Sequence, residues 1–403
     1  MLFTPIAHAV TGDANGDGIV DGLDYLVLAD EFWLTSQDGV TLSADFNDDG
    51  IVDGLDYLLL IDYFGQTDEE ITPTYWVASD GNDSNPGTAS RPFRTIQRAA
   101  QAARAGDVVS IGTGSYAGWT AVRSGTADLP IVFIGQGANT VIDGNGRTGE
   151  GFYSNQKDNI AIASMVFRSW QRDGILLRDC EGISIADVET AWCGWRGAGW
   201  DHGISLERVQ NTSISDVYSH DNYIAGIEMS NCDHISVDHC TATRNTGTSG
   251  SDGIIVQNSR YIDIADCEAT HNGEDGIDIA GYEGTPYDTH SITIVRCTAS
   301  QNTGEGFAVS GTSGSQFRTY NVTIDDCTAT YNNGDGVQIY QRAFDVIVRY
   351  SDISYNRRGF NLHTSAHDVD IISNRVVSNR AEPWSIDDSC WNVVLRYNVT
   401  NGG

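Results

Sequence analysis

From about Gly151 the chain repeats a short pattern of alternating apolar and polar positions. Each unit opens with a glycine and an apolar-x-apolar triplet, and two more short alternating segments follow before the next glycine. Alternation places every second side chain on the same face of a strand. Three short strands in a period of roughly 23 residues are typical of one coil of a right-handed parallel β-helix. The opening glycines include Gly174, Gly203, Gly226, Gly253, Gly276, Gly306, Gly336 and Gly359.

The repeat predicts a mainly-β domain, a right-handed parallel β-helix of about ten coils, over residues 75–403. Residues 92–105 have a helical pattern and are predicted to cap the N-terminal end of the coils, where the core would otherwise meet water. The polar residues 67–74, which include Pro73, are predicted to form a linker. The repeat stops within a coil at Gly403, so we expect a fragment, a missing C-terminal piece or an end covered by a partner.

Two columns of identical side chains support this register. Stacked strands lie about 4.8 Å apart, and an asparagine column at that spacing can satisfy its amides along the stack. We therefore interpret both columns as structural. The columns are Cys240, Cys267, Cys297 and Cys327, and Asn222, Asn245, Asn272, Asn302, Asn332, Asn356 and Asn379.

The cysteines leave two alternatives open. A soft-metal site on the column is one, although the CxxC spacing of zinc sites is absent. A disulfide is the other, and Cys180–Cys193 is the one pairing that we consider.

Two acidic loops of twelve residues near the N-terminus have the ligand spacing of calcium loops. Each has oxygen-bearing side chains at positions 1, 3, 5, 9 and 12, a glycine at position 6 and a backbone carbonyl at position 7. A short apolar segment follows each loop. The predicted ligands are Asp13, Asn15, Asp17, Ile19, Asp21 and Asp24 in the first loop, and Asp45, Asn47, Asp49, Ile51, Asp53 and Asp56 in the second.

The segment 10–66, which holds both loops, resembles a type I dockerin. In that family position 12 is aspartate, as it is here. The resemblance implies a small α-helical, EF-hand-like module that folds on Ca²⁺ and docks onto a cohesin-type protein. The docking positions would be Gly22-Leu23 and Gly54-Leu55, where such pairs usually carry a hydroxyl. A module docked on its own chain is the alternative.

The first nine residues bear on the compartment. They end in Ala7-His8-Ala9, a small-x-small pattern like the end of a signal peptide. Residues 1–9 are therefore predicted to be a residual signal peptide of a secreted, extracellular protein, with a disordered N-terminus as the alternative.

The net charge of the chain limits the kinds of partner that we expect it to bind. The chain has 23 basic and 55 acidic residues, and its formal net charge is −32. With this acidic excess the chain has no net positive charge to neutralise phosphates, so nucleic acid is not an expected partner. No apolar run approaches the length of a membrane span. The acidic excess favours calcium, which takes oxygen ligands.

The longer periods of the repeat carry loops on neighbouring coils, which are predicted to wall a groove. Aromatic side chains in and near these loops suit stacking on sugar rings, although packing of the loops onto the coils is an equal alternative for each ring. The loops span 192–201, 245–252, 280–290 and 310–320, and the aromatic residues are Trp192, Trp195, Trp200, Tyr282, Tyr287, Phe317, Tyr320 and Tyr340.

Four acidic side chains recur on two adjacent coils beside this groove. At a coil spacing of about 4.8 Å their carboxylates are predicted to converge and to raise one another's pKa, and Ca²⁺ would relieve the repulsion. The alternative is that each aspartate accepts backbone N–H groups at its turn, because Asp173 and Asp335 share the phase. The predicted metal ligands are Asp252, Glu274, Asp275 and Asp278.

With these residues the segment from Tyr75 to Asn379 resembles the calcium-dependent pectate lyases of polysaccharide lyase family 9. The resemblance also covers the opening segment YWVASDGNDSNPGTASRPFRTIQRAA. It implies calcium-assisted β-elimination on an acidic, uronate-containing polysaccharide. Glu274 stands where an aspartate is expected, and Ala308 stands where the family carries its catalytic lysine after Gly-Phe.

Without that lysine, elimination needs another base to remove the proton α to the carboxylate. The single lysine, Lys157, lies five coils from the carboxylates, or roughly 24 Å away. By phase, the predicted catalytic residues are Arg318 and Arg342. His290 and Tyr282 are alternatives, and each arginine is also interpretable as a surface residue or as a clamp for a substrate carboxylate.

Two functions follow as hypotheses. The first is a secreted, calcium-dependent enzyme, most simply a lyase, with inverting hydrolysis by Asp275 and Asp278 as a variant. The second is a non-catalytic extracellular protein whose β-helix binds a glycan or a protein neighbour and is attached through the dockerin-like module. The fold by itself does not decide between them.

Overall fold

The alternating segments of the sequence form parallel strands that stack into a β-helix. The structure is a computed structural model that describes residues 72–146, 148–194, 201–247, 250–281, 288–312 and 318–400. The chain divides into two units, 1–72 and 73–403, and the elements described here belong to the second. Both predicted calcium loops, at 13–24 and 45–56, lie outside the described residues.

Among the described residues, the larger sheet has 22 strands, and successive coils pair in parallel. Most coils contribute two consecutive short strands to it, and three coils contribute one long strand instead. Its strands are β1 Tyr75–Val77, β2 Val108–Ile111, β3 Gly114–Tyr116, β5 Ile131–Ile134, β6 Thr140–Asp143, β8 Ile160–Arg168, β10 Ile183–Ala191, β12 Gln210–His220, β14 Asp233–Asp238, β15 Thr241–Thr243, β17 Arg260–Ala265, β18 Glu268–Thr270, β20 Thr289–Val295, β21 Thr298–Ser300, β23 Thr319–Asp325, β24 Thr328–Thr330, β26 Phe344–Arg349, β27 Asp352–Ser354, β29 His367–Ile372, β30 Arg375–Val376, β32 Trp391–Arg396 and β33 Val399–Thr400.

The second sheet has eleven strands among the described residues, one from each coil, against the ten or so coils that the repeat predicts. The short strands at the two ends of this sheet are not part of the repeat in which a glycine precedes each apolar-x-apolar triplet. Its strands are β4 Trp119–Thr120, β7 Phe152–Asn155, β9 Ile175–Arg178, β11 Ile204–Glu207, β13 Ile227–Ser230, β16 Ile254–Gln257, β19 Ile277–Ala280, β22 Phe307–Ser310, β25 Val337–Tyr340, β28 Phe360–Leu362 and β31 Trp384–Ile386.

The core is built from the inward positions of each triplet. Ile277 and Ile279 of β19 are fully buried, and they stack on Phe307 and Val309 of the next coil. The residue between the two inward positions points out of the β-helix. This alternation fixes which side chains of the second sheet can meet a ligand.

The helix at the N-terminal end is shorter than the predicted 92–105. Helix α1 spans Ile96–Ala102, and its N-cap residue Thr95 accepts a hydrogen bond from the backbone N–H of Arg98. Asp83 accepts from the backbone N–H groups of Arg94 and Thr95, which holds the preceding segment outside the helix. The face that carries Ile96 is buried against the first coils, as the capping prediction requires. No described helix is long and apolar enough to cross a membrane.

The asparagine column is confirmed as a hydrogen-bonded ladder. From Asn222 to Asn356, each backbone N–H donates to the side-chain oxygen of the asparagine one coil on, over 2.8–3.2 Å. The ladder satisfies buried backbone donors at the turn that precedes each strand of the second sheet, so it fixes the position of those turns.

All eight cysteines are free. The four column cysteines are buried and stack through N–H···S contacts, as from Cys240 to Cys267 at 3.3 Å. The Cys180–Cys193 disulfide does not form. Cys180 lies in the turn after β9 whereas Cys193 lies in the turn after β10, so the two side chains belong to different corners of the coil.

Candidate functional site

The predicted metal ligands lie at the beginning of two neighbouring strands of the second sheet. Asp252 precedes the glycine that leads into β16, and Glu274 and Asp275 precede the glycine that leads into β19. Because β16 and β19 pair in parallel register, their preceding turns stack on each other. The register that the glycine repeat predicts therefore brings these turns together.

Asp278 is the second residue of β19. Its neighbours along the strand, Ile277 and Ile279, are fully buried, so Asp278 points outward on the same side as the turns. In the adjacent strands it pairs with Ile255 and with Ala308. Ala308 is thus the outward neighbour of Asp278 one coil on, and it offers no polar group there.

Asp252 and Asp275 also cap their turns. The Oδ1 atom of Asp252 accepts the backbone N–H of Asp275 at 2.6 Å, and the Oδ1 atom of Asp275 accepts that of Glu305 at 2.7 Å. The Glu274 carboxylate accepts the backbone N–H of Gly250. The turn-capping interpretation therefore describes a real contact, but for each aspartate it engages only Oδ1.

The electrostatics of this group go beyond turn capping. Burial, and then the charge of Asp278, raise the pKa of Asp252 well above its usual value. Burial, and then Asp252 and Asp278, do the same for the pKa of Asp275. The pKa of Asp278 is raised to about 7 by burial, with Glu274 and Glu305 as further causes. These acidic groups repel one another, and among the described residues the one ion pair that any of them makes is between Glu305 and Arg357, at 3.9 Å.

Glu305 is a member of this group that the sequence pattern left out. It precedes Gly306 at the same phase as Asp252 and Asp275, one coil further on. The position of Glu305 in the repeat is therefore enough to identify it from the sequence. We call Asp252, Glu274, Asp275, Asp278 and Glu305 the central acidic group.

The central acidic group is not drawn together into a formed cation site. Among the described residues, the set of three ligand side chains whose atoms lie within 4.8 Å of one another is Asp238, His239 and Asp266, in the larger sheet. Arg296 already binds Asp266 at 2.7 Å. The all-oxygen donor set of the central acidic group is of the type that Ca²⁺ prefers.

A second group of buried ionisable side chains lies at the beginning of earlier strands of the same sheet, and the sequence pattern did not single it out as a site. Burial raises the pKa of Asp173 and of Asp201, and it lowers the pKa of His202 to about 3. His202 is therefore neutral, and its Nδ1 accepts the backbone N–H of Ala225, which leaves the proton on Nε2. Glu228, on β13, has its pKa raised to about 7 by burial.

The predicted catalytic arginines lie beyond the other end of the second-sheet strands. Arg318 precedes β23 and binds Asp288 through its backbone N–H at 2.9 Å and its guanidinium at 3.1 Å. Arg342 follows β25, is exposed, and donates its backbone N–H to Thr364. The described contacts join neither arginine to the central acidic group, and their catalytic role stays a prediction.

Much of the predicted groove wall lies outside the described residues, including Trp195, Trp200, Tyr282, Tyr287 and Phe317. Of the described aromatic residues, Trp192 is 51% exposed and contacts His220 edge-on. Tyr320 is stacked between two rings of neighbouring coils, and Tyr340 stacks on His363. Packing thus accounts for Tyr320 and Tyr340, whereas Trp192 keeps an open face.

Comparison with known proteins identifies both parts of the chain. Residues 75–368 match the family described as Pel9A-like, right handed beta helix region. The chain belongs to this Pel9A-like family. Residues 11–65 match the dockerin type I domain. The resemblances drawn from the sequence are confirmed for both segments.

Solved structures with the Pel9A-like fold include polysaccharide lyases and epimerases. The A-module of the mannuronan C-5 epimerase AlgE4 of Azotobacter vinelandii is similar with a TM-score of 0.60 at 16% identity, over 81% of this chain and 97% of that one. A rhamnogalacturonan lyase is similar with a TM-score of 0.50 at 14% identity, over 80% and 84%. At these identities the likeness shows the fold alone.

A curated relative is the uncharacterized protein YwoF of Bacillus subtilis (strain 168). It is 26% identical over 219 residues, which cover 52% of this chain and 44% of YwoF. This chain therefore spans less than half the length of that relative.

Proposed function

We propose that this protein is a secreted, calcium-dependent lyase that cleaves an acidic, uronate-containing polysaccharide by β-elimination. The observation that carries the proposal is the convergence of Asp252, Asp275 and Asp278 on two neighbouring coils, where burial and repulsion between acidic groups raise the pKa of all three carboxyl groups. A protein does not gain stability from such a group, so a ligand is the reason we assign to it.

Asp252, Asp275 and Asp278 are the residues that would hold the metal ion, with Glu274 beside them. Their carboxylate oxygens suit a hard cation, and Asp252 and Asp275 are fixed by the hydrogen bonds that their Oδ1 atoms accept. When bound, Ca²⁺ would neutralise a uronate carboxylate and so acidify the proton on the adjacent carbon. The protein side chains position the sugar and accept that proton.

The charge of the protein gives the cation a second reason to be required. A chain of net charge −32 repels a polyanionic substrate. A divalent cation on the central acidic group replaces that repulsion by attraction at the one place where the substrate carboxylate must sit. Binding of the polysaccharide should therefore depend on the metal as strongly as turnover does.

The dockerin module indicates a protein partner for this chain. A type I dockerin implies a cohesin-type protein as its target, and such modules are typical of secreted or cell-surface proteins. We propose that the module anchors the β-helix outside the cell beside its substrate, with the predicted calcium loops holding Ca²⁺.

The test is ultraviolet absorbance of unsaturated uronate on a panel of uronans, with calcium and with EDTA, for the wild-type chain and Asp252→Asn. Calcium-dependent product from the wild type, lost in the variant, supports the lyase. Conversion of one uronate epimer into the other, seen by NMR without new absorbance, would identify an epimerase, as in the AlgE4 module that shares this fold. Calcium-dependent glycan binding with neither product would show the non-catalytic alternative, which the alanine at position 308 favours.

A further inference from the structure

Glu228 lies on the same outward-facing column of the second sheet as Asp278. Glu228 of β13 pairs with Ile255 of β16, and Ile255 pairs with Asp278 of β19. Two strand spacings separate the Cα atoms of the two acidic residues, or about 9.6 Å. Both acidic side chains therefore point out of the β-helix from the same column, two coils apart.

Glu228 has no structural need to be acidic. It is 8% exposed, and the Ser205 hydroxyl donates a hydrogen bond to its Oε2 atom at 2.8 Å. By contrast Glu207, on the adjacent coil, forms a two-point ion pair with Arg178. The other members of the Glu228 column are uncharged up to Asp278 and beyond it, namely Leu176, Ser205, Ile255, Ala308 and Gln338.

The surroundings of Glu228 are apolar on the side that faces Asp278. Ile255 packs with Ile224 and Ala225 in a small buried cluster beside it. Dry neighbours disfavour the charged form, and burial raises the pKa of Glu228 to about 7. A carboxyl in that range is half ionised near neutral pH, which suits a group that must gain a proton and lose it again.

We propose that Glu228 is the proton acceptor of the elimination, a role that rests on the function proposed above. The Glu228 carboxylate takes the proton on the carbon α to the uronate carboxylate. The electron pair of that C–H bond becomes the new C4=C5 double bond, and the C4–O bond breaks. The leaving oxygen takes a proton from water, and Glu228 returns its own to the solvent, so no net proton is gained or lost.

Position favours Glu228 over the two arginines predicted from the sequence. Glu228 and Asp278 share one column near the beginning of their strands, whereas Arg318 and Arg342 lie beyond the strand ends. A free arginine holds its proton at any ordinary pH, and Arg318 is further bound to Asp288. A carboxylate with a raised pKa needs no such deprotonation.

The test compares Glu228→Gln with wild type on the uronan that the wild type cleaves. The glutamine keeps the shape and the bond to Ser205 but cannot accept the proton. We expect the rate of unsaturated product to fall at least about 100-fold, with an unchanged Kd for the uronan by calorimetry. Glu268→Gln, at an exposed position of β18, is the control and should keep the wild-type rate.

Ser205→Ala supplies a readout that a structural role would not move. Besides burial, two neighbours affect the pKa of Glu228: the hydrogen bond from Ser205 lowers it, and the charge of Glu207 raises it. A further acidic group, Asp173, has its own pKa raised in part by the charge of Glu228. Loss of the hydroxyl should therefore shift the acidic limb of the pH–rate profile to higher pH.

Four results would contradict the assignment. A Glu228→Gln variant that keeps more than about a tenth of the rate, or an unshifted limb in Ser205→Ala, overturns the role of Glu228 and leaves the lyase in place. If Arg318→Ala or Arg342→Ala abolishes product formation while Glu228→Gln stays active, the proton acceptor is that arginine and not Glu228. Absence of unsaturated product from the wild type on every uronan overturns the proposed function itself, and the role of Glu228 with it.

Discussion

Two aspartates at the same phase of the repeat have opposite surroundings. Asp335 and Asp275 both precede the glycine of their coil, and each accepts a backbone N–H from the next coil. The Asp335 side chain, at 0% exposure, is bound by Arg357 at 2.6 Å and has Arg358 within 3.7 Å. Asp275 instead faces further acidic groups, and burial together with the charges of Asp252 and Asp278 raises its pKa.

The comparison separates a structural role from a ligand-binding one. Capping a turn requires one carboxylate oxygen, and at Asp335 two arginines balance the remaining charge. At Asp252 and Asp275 the cap is the same, but among the described residues neither carboxylate forms an ion pair. We attribute that difference to a cation that the central acidic group is built to bind.

The largest effect is expected at Asp278, which has no capping role to lose. Asp278→Asn should lower calcium-dependent product formation at least about 100-fold, because it removes a metal ligand without a turn contact. Asp335→Asn is the matched variant and should keep the calcium dependence while lowering the melting temperature. Equal loss of activity in both variants would erase the distinction between the two regions. The readouts are the uronan assay and thermal unfolding.

The next largest effect is expected on the free energy of unfolding when the ion pair of Asp335 is broken. Arg357→Ala removes the main partner of the buried Asp335 carboxylate and should lower the free energy of unfolding by about 2–3 kcal/mol, since Arg358 stays nearby. Arg296→Ala, which breaks an exposed pair with Asp266, should cost less than about 1 kcal/mol. Denaturant unfolding of the full chain gives both values, and similar small losses would show that Asp335 does not need its cation.

A smaller effect is expected from pH in the absence of calcium. The pKa values of Asp278 and Glu228 are raised to about 7, whereas carboxyls in the unfolded chain titrate near about 4. Between these values the folded protein binds more protons than the unfolded one, so the free energy of unfolding should fall as pH rises from about 4 to 7. This contribution is fully present below the unfolded pKa.

Melting temperatures across that range, measured in EDTA, should therefore decline toward neutral pH. The decline should flatten in the double variant Asp278→Asn/Glu228→Gln. Saturating calcium should counteract it, because the metal competes with protons for Asp278. An unchanged slope in the double variant would mean that other groups set the pH dependence.

The smallest effect is expected at the exposed set Asp238, His239 and Asp266. These ligand atoms are close together, yet Arg296 already neutralises Asp266, and His239 itself binds Asp238 at 2.7 Å. His239→Ala should leave calcium affinity and activity unchanged and alter stability by less than about 0.5 kcal/mol. A loss of calcium binding in this variant would show that proximity, rather than uncompensated burial, marks the metal site.

The fold could be predicted from the sequence because the coils from about Gly151 onward repeat the same local signals. The glycine-led triplets set the inward and outward positions, and the asparagines fix the turn before each strand. The same periodicity placed Asp252 and Asp275 in stacked turns. The pairing of Cys180 with Cys193, which the sequence left open as an alternative, joins two different corners of a coil and does not form.

The rest of the site depends on quantities that a repeat does not carry. Glu228 stands out only once its burial and its apolar neighbours are known, because its triplet reads like any other. The compensation of Asp335 depends on which side chain follows one coil later, at Arg357. The interpretation of Arg318 by phase did not include its ion pair with Asp288, which is made across neighbouring coils.

The central claim is tested most directly by a crystal structure of the calcium-soaked protein, with anomalous scattering to locate the ions. The account predicts an ion at the central acidic group, bound by carboxylate oxygens of Asp252, Asp275 and Asp278, while Asp335 stays paired with Arg357. A well-ordered β-helix in which the dockerin loops hold calcium and these three carboxylates contact only their own turns would contradict it.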